Sequence, residues 1–176
     1  MAYPTTLAYK ITSPAYVGAQ PIDATSTTQS VPLGTRVRAV DPNYGEGEFV
    51  YLKGVASTAA GSAVIYNTKA ATTTLAKAGT TLTGAVAIAM SANVASQYGW
   101  YQISGEAIVN TTSAGTGAAN ANLVQTATAG QATVGATGAN IISGATCKTA
   151  QDSPTSGFTQ VQLVGPFLSG LTQTQP

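Results

Sequence analysis

The sequence predicts an all-β protein, a small barrel or sandwich of short strands. Two observations carry that expectation. Apolar and polar residues alternate with a period of two in several stretches, the signature of half-buried strands. Clusters of Gly, Thr and Ser punctuate the chain between them, as turns do. A third, negative observation agrees: no segment holds a 3.6-residue apolar period over three turns, so no long amphipathic helix is expected.

The elements follow in order. Residues 1–34 read as an extended N-terminal arm, because Pro4, Pro14, Pro21 and Pro32 recur through it and proline is excluded from helix interiors. The arm carries Tyr3, Tyr9 and Tyr16 among sparse apolar residues. Tyrosine combines a large contact area with a polar tip, so these rings either dock on a partner or cover the protein's own barrel. From Thr35 the period becomes two, with Arg36 and Arg38 on one face and Val37 and Ala39 on the other. The run Asp41-Pro42-Asn43-Tyr44-Gly45-Glu46-Gly47 is a turn-forming cluster, and Glu48 to Val55 is a strong strand whose Phe49 and Tyr51 oppose Val50 and Leu52. Ser62 to Tyr66 is the next strand. Ala85 to Met90 has no polar face at all, which predicts a strand buried on both sides with its alanine side closely approached.

Residues 91–98 are expected to make one helical turn, and Trp100 to Asn110 a strand with a bulge at Gly105. The Ala/Gly/Thr-rich stretch 111–144 reads as short strands on tight turns, anchored by Leu123, Val124, Val134, Ile141 and Ile142. Phe158 to Val164 alternates Gln160 and Gln162 against Val161 and Leu163, and Gly165-Pro166 is expected to end it. The organisation is therefore an arm (1–34), a barrel-like core (35–166) and a short C-terminal tail (167–176) rooted by Phe167 and Leu168. Candidate contact residues are Tyr3, Tyr9, Tyr16, Phe167 and Leu168.

Composition narrows the function. Charged residues are only 7% of the chain, against about 25% in an ordinary soluble domain. The longest apolar run, Ala85 to Met90, is far short of the ~20 residues a spanning helix needs, so no membrane partner is expected. The surface is instead built from Thr, Ser, Asn and Gln. Near-zero net charge favours association, which costs nothing to a subunit of an ordered assembly. With a net charge of +1 and no basic block, nucleic acid is not an expected partner. The first residues carry no basic cluster followed by an apolar stretch, so no secretory signal is read, and the single Cys147 fits folding in a reducing cytoplasm.

The chain contains no histidine, which removes the commonest general base and the commonest transition-metal ligand. Cys147 has no second cysteine to share a structural zinc. No phosphate-cradling glycine motif occurs. The acidic group Asp41, Asn43, Glu46 and Glu48 admits two readings, a loop cation site or a polar turn closed by Asp41, and the turn is the commoner use of such residues. Glu48 and Glu106 form a carboxylate pair only if the fold brings them together. No catalytic residue, cofactor or metal is therefore expected, and the chain does not read as an enzyme.

Certain segments carry a resemblance. The run Gly45-Glu46-Gly47-Glu48-Phe49-Val50-Tyr51-Leu52-Lys53-Gly54-Val55 resembles the first core strand of small head proteins of tailed bacteriophages. Gly84-Ala85-Val86-Ala87-Ile88-Ala89 leading to Tyr98-Gly99-Trp100-Tyr101-Gln102-Ile103-Ser104-Gly105 is similar, as are Ala127-Thr128-Ala129-Gly130 and Val161-Gln162-Leu163-Val164-Gly165-Pro166. The match spans roughly residues 35–166 and is to the capsid decoration, or cement, proteins. It implies a β-barrel or β-tulip-like core, a homotrimer on the outer capsid surface of the virion, the major capsid protein as partner, and arms that reach neighbouring subunits. The long 111–144 stretch departs from that pattern. Two other readings remain, a tail or fibre component and a carbohydrate-binding β module. The latter needs an exposed aromatic platform, for which Trp100 and Tyr101 are the candidates.

Overall fold

A computed structural model describes residues 7–79, 82–112, 119–135, 141–148 and 157–168. Its regular structure is all β, apart from a single 3-10 turn at Pro14–Tyr16. The strands are β1 (Lys10–Ile11), β2 (Thr25–Ser26), β3 (Arg36–Asp41), β4 (Gly45–Lys53), β5 (Ala63–Tyr66), β6 (Thr73–Leu75), β7 (Gly84–Ala89), β8 (Tyr98–Asn110), β9 (Asn122–Gln125), β10 (Ala132–Val134), β11 (Ile141–Cys147) and β12 (Phe158–Leu168). They form one antiparallel sheet in the order β1-β3-β4-β8-β7-β12-β11-β9-β10, with β2 on β8 and the β5–β6 pair branching from β7. Among the described residues the sheet is not closed, so the all-β class holds while the expected barrel is not formed by them.

Strand β8 organises this sheet. One edge pairs with β4 from Tyr98 to Ser104. The opposite edge is shared in turn by β2 at Tyr98 and Gly99, β7 at Tyr101 and Gln102, and β12 from Ser104 to Asn110. Such sharing requires a break in register. It lies where Glu48 pairs with Ser104 but Phe49 pairs with Gln102, so Ile103 is the extra residue of a bulge. Gly105 sits just beyond with a φ of +93°, and a Cβ there would lie 2.4 Å from the Glu46 carbonyl oxygen. Only glycine satisfies both conditions. Gln102 stitches the bulge, its amide donating to the carbonyls of Ser104 (3.1 Å) and Glu106 (2.9 Å).

Alternation along the central strands divides the interior into three apolar clusters. In β4, Val50 and Leu52 face one cluster with Tyr101 and Ile103, while Phe49 and Tyr51 face another with Trp100. In β7, Ala87 and Ala89 enter the Tyr101 cluster, and Val86 and Ile88 enter the third with Leu123, Val161 and Leu163. The strand without a polar face is thus buried on both sides, and its alanines let the bulky Tyr66 and Tyr101 approach. The weak-looking stretch after residue 119 folds as β9, β10 and most of β11, with Leu123 and Ile142 at 0% and 1% exposure. Burying such a side chain contributes on the order of 2 kcal/mol, enough to hold short strands rich in Ala and Thr.

The arm covers the protein's own core, one of the two readings its tyrosines allow, and three expectations need correction. Leu7, Tyr9, Ile11, Tyr16, Ala19, Val31 and Leu33 pack against the Trp100 cluster, and Ile22 lies within it. The reason is physical: without them Phe49, Tyr51 and Trp100 would face water. Residues 91–97 form no helical turn but a loop with a bond from Gln97 N–H to the Val94 carbonyl (3.1 Å). The backbone of Asn93 presses on Gly54, where a Cβ would stand 1.9 Å from its carbonyl oxygen, and this close approach replaces helical geometry. Gly165-Pro166 does not end β12. Phe167 and Leu168 continue it, pairing with Ala85 and Gly84, so these residues are the place where β12 changes partner from β8 to β7. Accordingly the core runs past residue 166.

Removing residues 1–20 should destabilise the chain rather than leave an intact core. Five half-buried apolar side chains (Leu7, Tyr9, Ile11, Tyr16 and Ala19) and the bond from the Trp100 indole to the Gln20 carbonyl are lost, together on the order of 4 kcal/mol. The single tryptophan reports it directly. Its emission should shift to the red and the urea midpoint should fall; an unchanged midpoint with buried-type emission would contradict this role for the arm.

Candidate functional site

The outward face of β3, β4, β8 and β12 carries the charged and amide side chains nearest one another. Register sets Arg38 opposite Glu48, Glu48 opposite Ser104, and Ser104 opposite Val164. A shallow cleft of about 330 Å³ lies there, with Arg38, Glu48 and Gln162 on its walls and Gly47 and Gly105 beneath. Arg38 spans the cleft's acids, at 3.0 Å from Glu48 and 3.7 Å from Glu46. Further along, the Glu106 carboxylate receives Lys148 on one oxygen and the Gln160 amide on the other. Arg38 and Lys148 are thus each matched by an acid on this face. Such exposed pairs contribute little to stability, roughly 0–1 kcal/mol, but they leave a surface with little net field.

Glu48 and Glu106 are held by different cations and project no shared reaction centre. Asp41 closes the β3–β4 hairpin as an Asx turn, its Oδ1 accepting from the N–H groups of Asn43 (2.7 Å) and Tyr44 (3.2 Å). Among the described residues, no group of three His, Cys, Asp or Glu side chains gathers where a metal ion could be held. Cys147 is buried, and burial pushes its thiol pKa up, away from the reactive thiolate.

The contact residues expected from sequence separate. Tyr3 lies outside the described residues. Tyr9 stands edge-on to Phe49 at 4.9 Å between ring centroids, and its hydroxyl donates to the Glu106 carbonyl (3.3 Å). Tyr16 is half-buried against the same cluster. Of the two readings of these rings, the structure places both against the protein's own core. Phe167 is 48% exposed, whereas Leu168 is 1% exposed and belongs to the interior. Leu168 is therefore corrected from a contact residue to a core residue, because it points inward from a strand that was expected to have ended. The residue missed is Val164, 70% exposed beside the cleft. Its parity with Gln160 and Gln162 was the available signal. Trp100 and Tyr101 are both fully buried, so neither offers a platform for a sugar.

Compared with family models, curated proteins and solved structures, the chain has no significant match in any of the three.

The buried phenols make stability depend on alkaline pH. Burial pushes Tyr101 up to about 12, and burial followed by the nearby Asp41 carboxylate raises Tyr9 as well. In the unfolded chain a tyrosine titrates near 10. Above that pH the unfolded state loses protons the folded state keeps. The phenols' contribution should therefore be level below about pH 10 and fall between 10 and 12, by about 1.4 kcal/mol per pH unit for Tyr101 alone. Urea melts from pH 7 to 11.5 measure this. Tyr101→Phe should flatten part of the decline, and an identical slope in that variant would exclude Tyr101 as its source.

Proposed function

We propose that the chain is a structural subunit of a tailed-phage virion that binds the outside of the head and stabilises the shell. The observation that carries the reading is the pairing of a densely packed β core with a surface almost free of net charge. Only 7% of residues are charged, and Arg38 and Lys148 on the outer sheet face each pair with an acid. A surface of hydroxyls and amides suits contacts covered by neighbours in a lattice. The resemblance of residues 35–166 to capsid decoration proteins supports the same reading, with the major capsid protein as partner and a homotrimer as the binding unit.

The mechanism is mass action. A subunit that binds only the assembled shell stabilises it by its own binding free energy. Repetition over a symmetric lattice multiplies that effect, because one trimer engages several shell subunits at once. No chemistry is required of the chain beyond presenting a rigid face.

Quantitative mass spectrometry of purified particles tests the proposal. A copy number comparable to that of the major shell protein is expected. A handful of copies per particle would move the chain to the tail or a fibre, and absence from particles would overturn a virion role. Adhesion should also survive about 1 M salt, since paired and uncharged groups leave little Coulomb energy to screen. Release on a modest rise in salt, followed by sedimentation, would contradict that.

A further inference from the structure

The segment from Leu7 to Leu33 is held by two sets of contacts of different depth. Its later part is seated in the interior. Ile22 is 1% exposed, and the Trp100 indole N–H donates to the Gln20 carbonyl (2.8 Å). The Gln20 amide donates to the carbonyls of Ala24 (2.7 Å) and Tyr98 (3.0 Å), and its oxygen accepts from the Tyr51 hydroxyl (2.9 Å). These groups come from three distant parts of the chain and meet only when the fold is complete.

The earlier part lies along the edge of β3. Strand β1 supplies only Lys10 and Ile11, paired with Val40 and Ala39. Leu7, Tyr9 and Ile11 are half-buried, while Ala8, Lys10 and Thr12 are exposed. Thr12 N–H donates to the Arg38 carbonyl (2.9 Å). There the ladder stops, because Pro14 has no N–H to give. The Ser13 hydroxyl oxygen accepts from the Arg38 N–H (2.9 Å) in place of a backbone carbonyl.

At the other end this part is held by Tyr9, whose ring packs on Phe49 and whose hydroxyl donates to the Glu106 carbonyl, and by one carboxylate. Asp41 is 1% exposed, and an Asx turn needs only one of its oxygens. Oδ1 closes the hairpin turn, and Oδ2 accepts from the Ala8 N–H at 2.7 Å. A bond to an ionised acceptor is roughly twice as strong as a neutral one. The same side chain therefore builds the hairpin and ties the strand that crosses it.

We propose that residues 7–12 are a strap that opens as a unit while residues 20–33 stay seated, and that Asp41 is its latch. Opening bares the β3 edge at Arg38–Val40 and one side of the Phe49 ring. An unpaired strand edge beside apolar surface is a feature folded proteins keep covered, which gives the latch its purpose. Local openings of this kind cost less than global unfolding and proceed without it.

Hydrogen exchange on the full chain by NMR tests the proposal. In the wild type, the Ala8 and Thr12 amides should exchange faster than the Trp100 indole N–H, which reports the seated part. Equal rates would make the segment one cooperative unit and overturn the strap. Asp41→Asn keeps an acceptor for the turn and sets a donor against Ala8. Exchange at Ala8 and Thr12 should rise roughly tenfold or more, with Asn43, Tyr44 and the indole unchanged. No rise at Ala8, or a rise confined to Asn43 and Tyr44, would show that Asp41 only builds the turn. Thr12→Pro leaves Asp41 intact and removes both strap bonds from Thr12, its N–H and its hydroxyl, to the Arg38 carbonyl; it should speed exchange at Ala8 without altering Trp100 emission. A shifted emission in that variant would again join the two parts and overturn the proposal.

Discussion

Backbone hydrogen bonding along β8 is the constraint on which the other elements depend. A strand has two edges, and β8 gives one to β4 from Tyr98 to Ser104 while dividing the other among β2, β7 and β12. That division brings together strands that are far apart in the chain. It also places Trp100, Tyr101 and Val109 of one strand in three different apolar clusters. The extra residue Ile103 and the left-handed Gly105 are what allow the strand to turn from one set of partners to the other without leaving buried amides unpaired. Loss of pairing on either edge would open more than one cluster, so the core and the sheet are stabilised together.

The arm follows from the same arrangement. Among the described residues the sheet is not closed, which leaves the Phe49, Tyr51 and Trp100 face uncovered by other strands. Residues 7–33 cover it, and polar groups at the tips of the aromatics choose where. The indole N–H needs an acceptor when buried, and the Gln20 carbonyl supplies it. Proline content made this segment extended, but extension alone leaves its destination open. The surface outside is governed by a different economy of charge, in which Arg38 meets an acid on the next strand and Lys148 reaches one across β12. A face of that kind neither repels a second protein surface nor recruits one from a distance. It suits binding set by shape and by uncharged contacts, which is the requirement on a lattice subunit.

Much of the fold was legible because strand parity is a local property. Val37, Ala39, Phe49 and Tyr51 could be assigned to one side, and Ala85 to Met90 to a doubly buried strand, from residue order alone. The turn at Asp41 was legible for the same reason, since its hydrogen bonds span two and three residues. The candidate surface was less so. Tyr9 and Phe167 look alike in sequence, yet one ring packs on Phe49 and the other is exposed. Leu168 reads as part of a tail because Gly165-Pro166 looks like a strand end. It becomes core only because β7 is available to pair with the residues that follow.

By itself, the sequence determined the all-β class, the alternation of faces, the absence of histidine chemistry and the sparse charge, since each is a matter of composition or of neighbours a few residues apart. Tertiary structure decided that the sheet remains unclosed among the described residues, that the arm folds back on its own core, and that Val164 rather than Leu168 faces outward. Those outcomes depend on which distant strand takes a given edge, and residues such as Leu168 and Gly84, or Trp100 and Gln20, carry no mutual signal until pairing along β8 brings them within hydrogen-bonding reach.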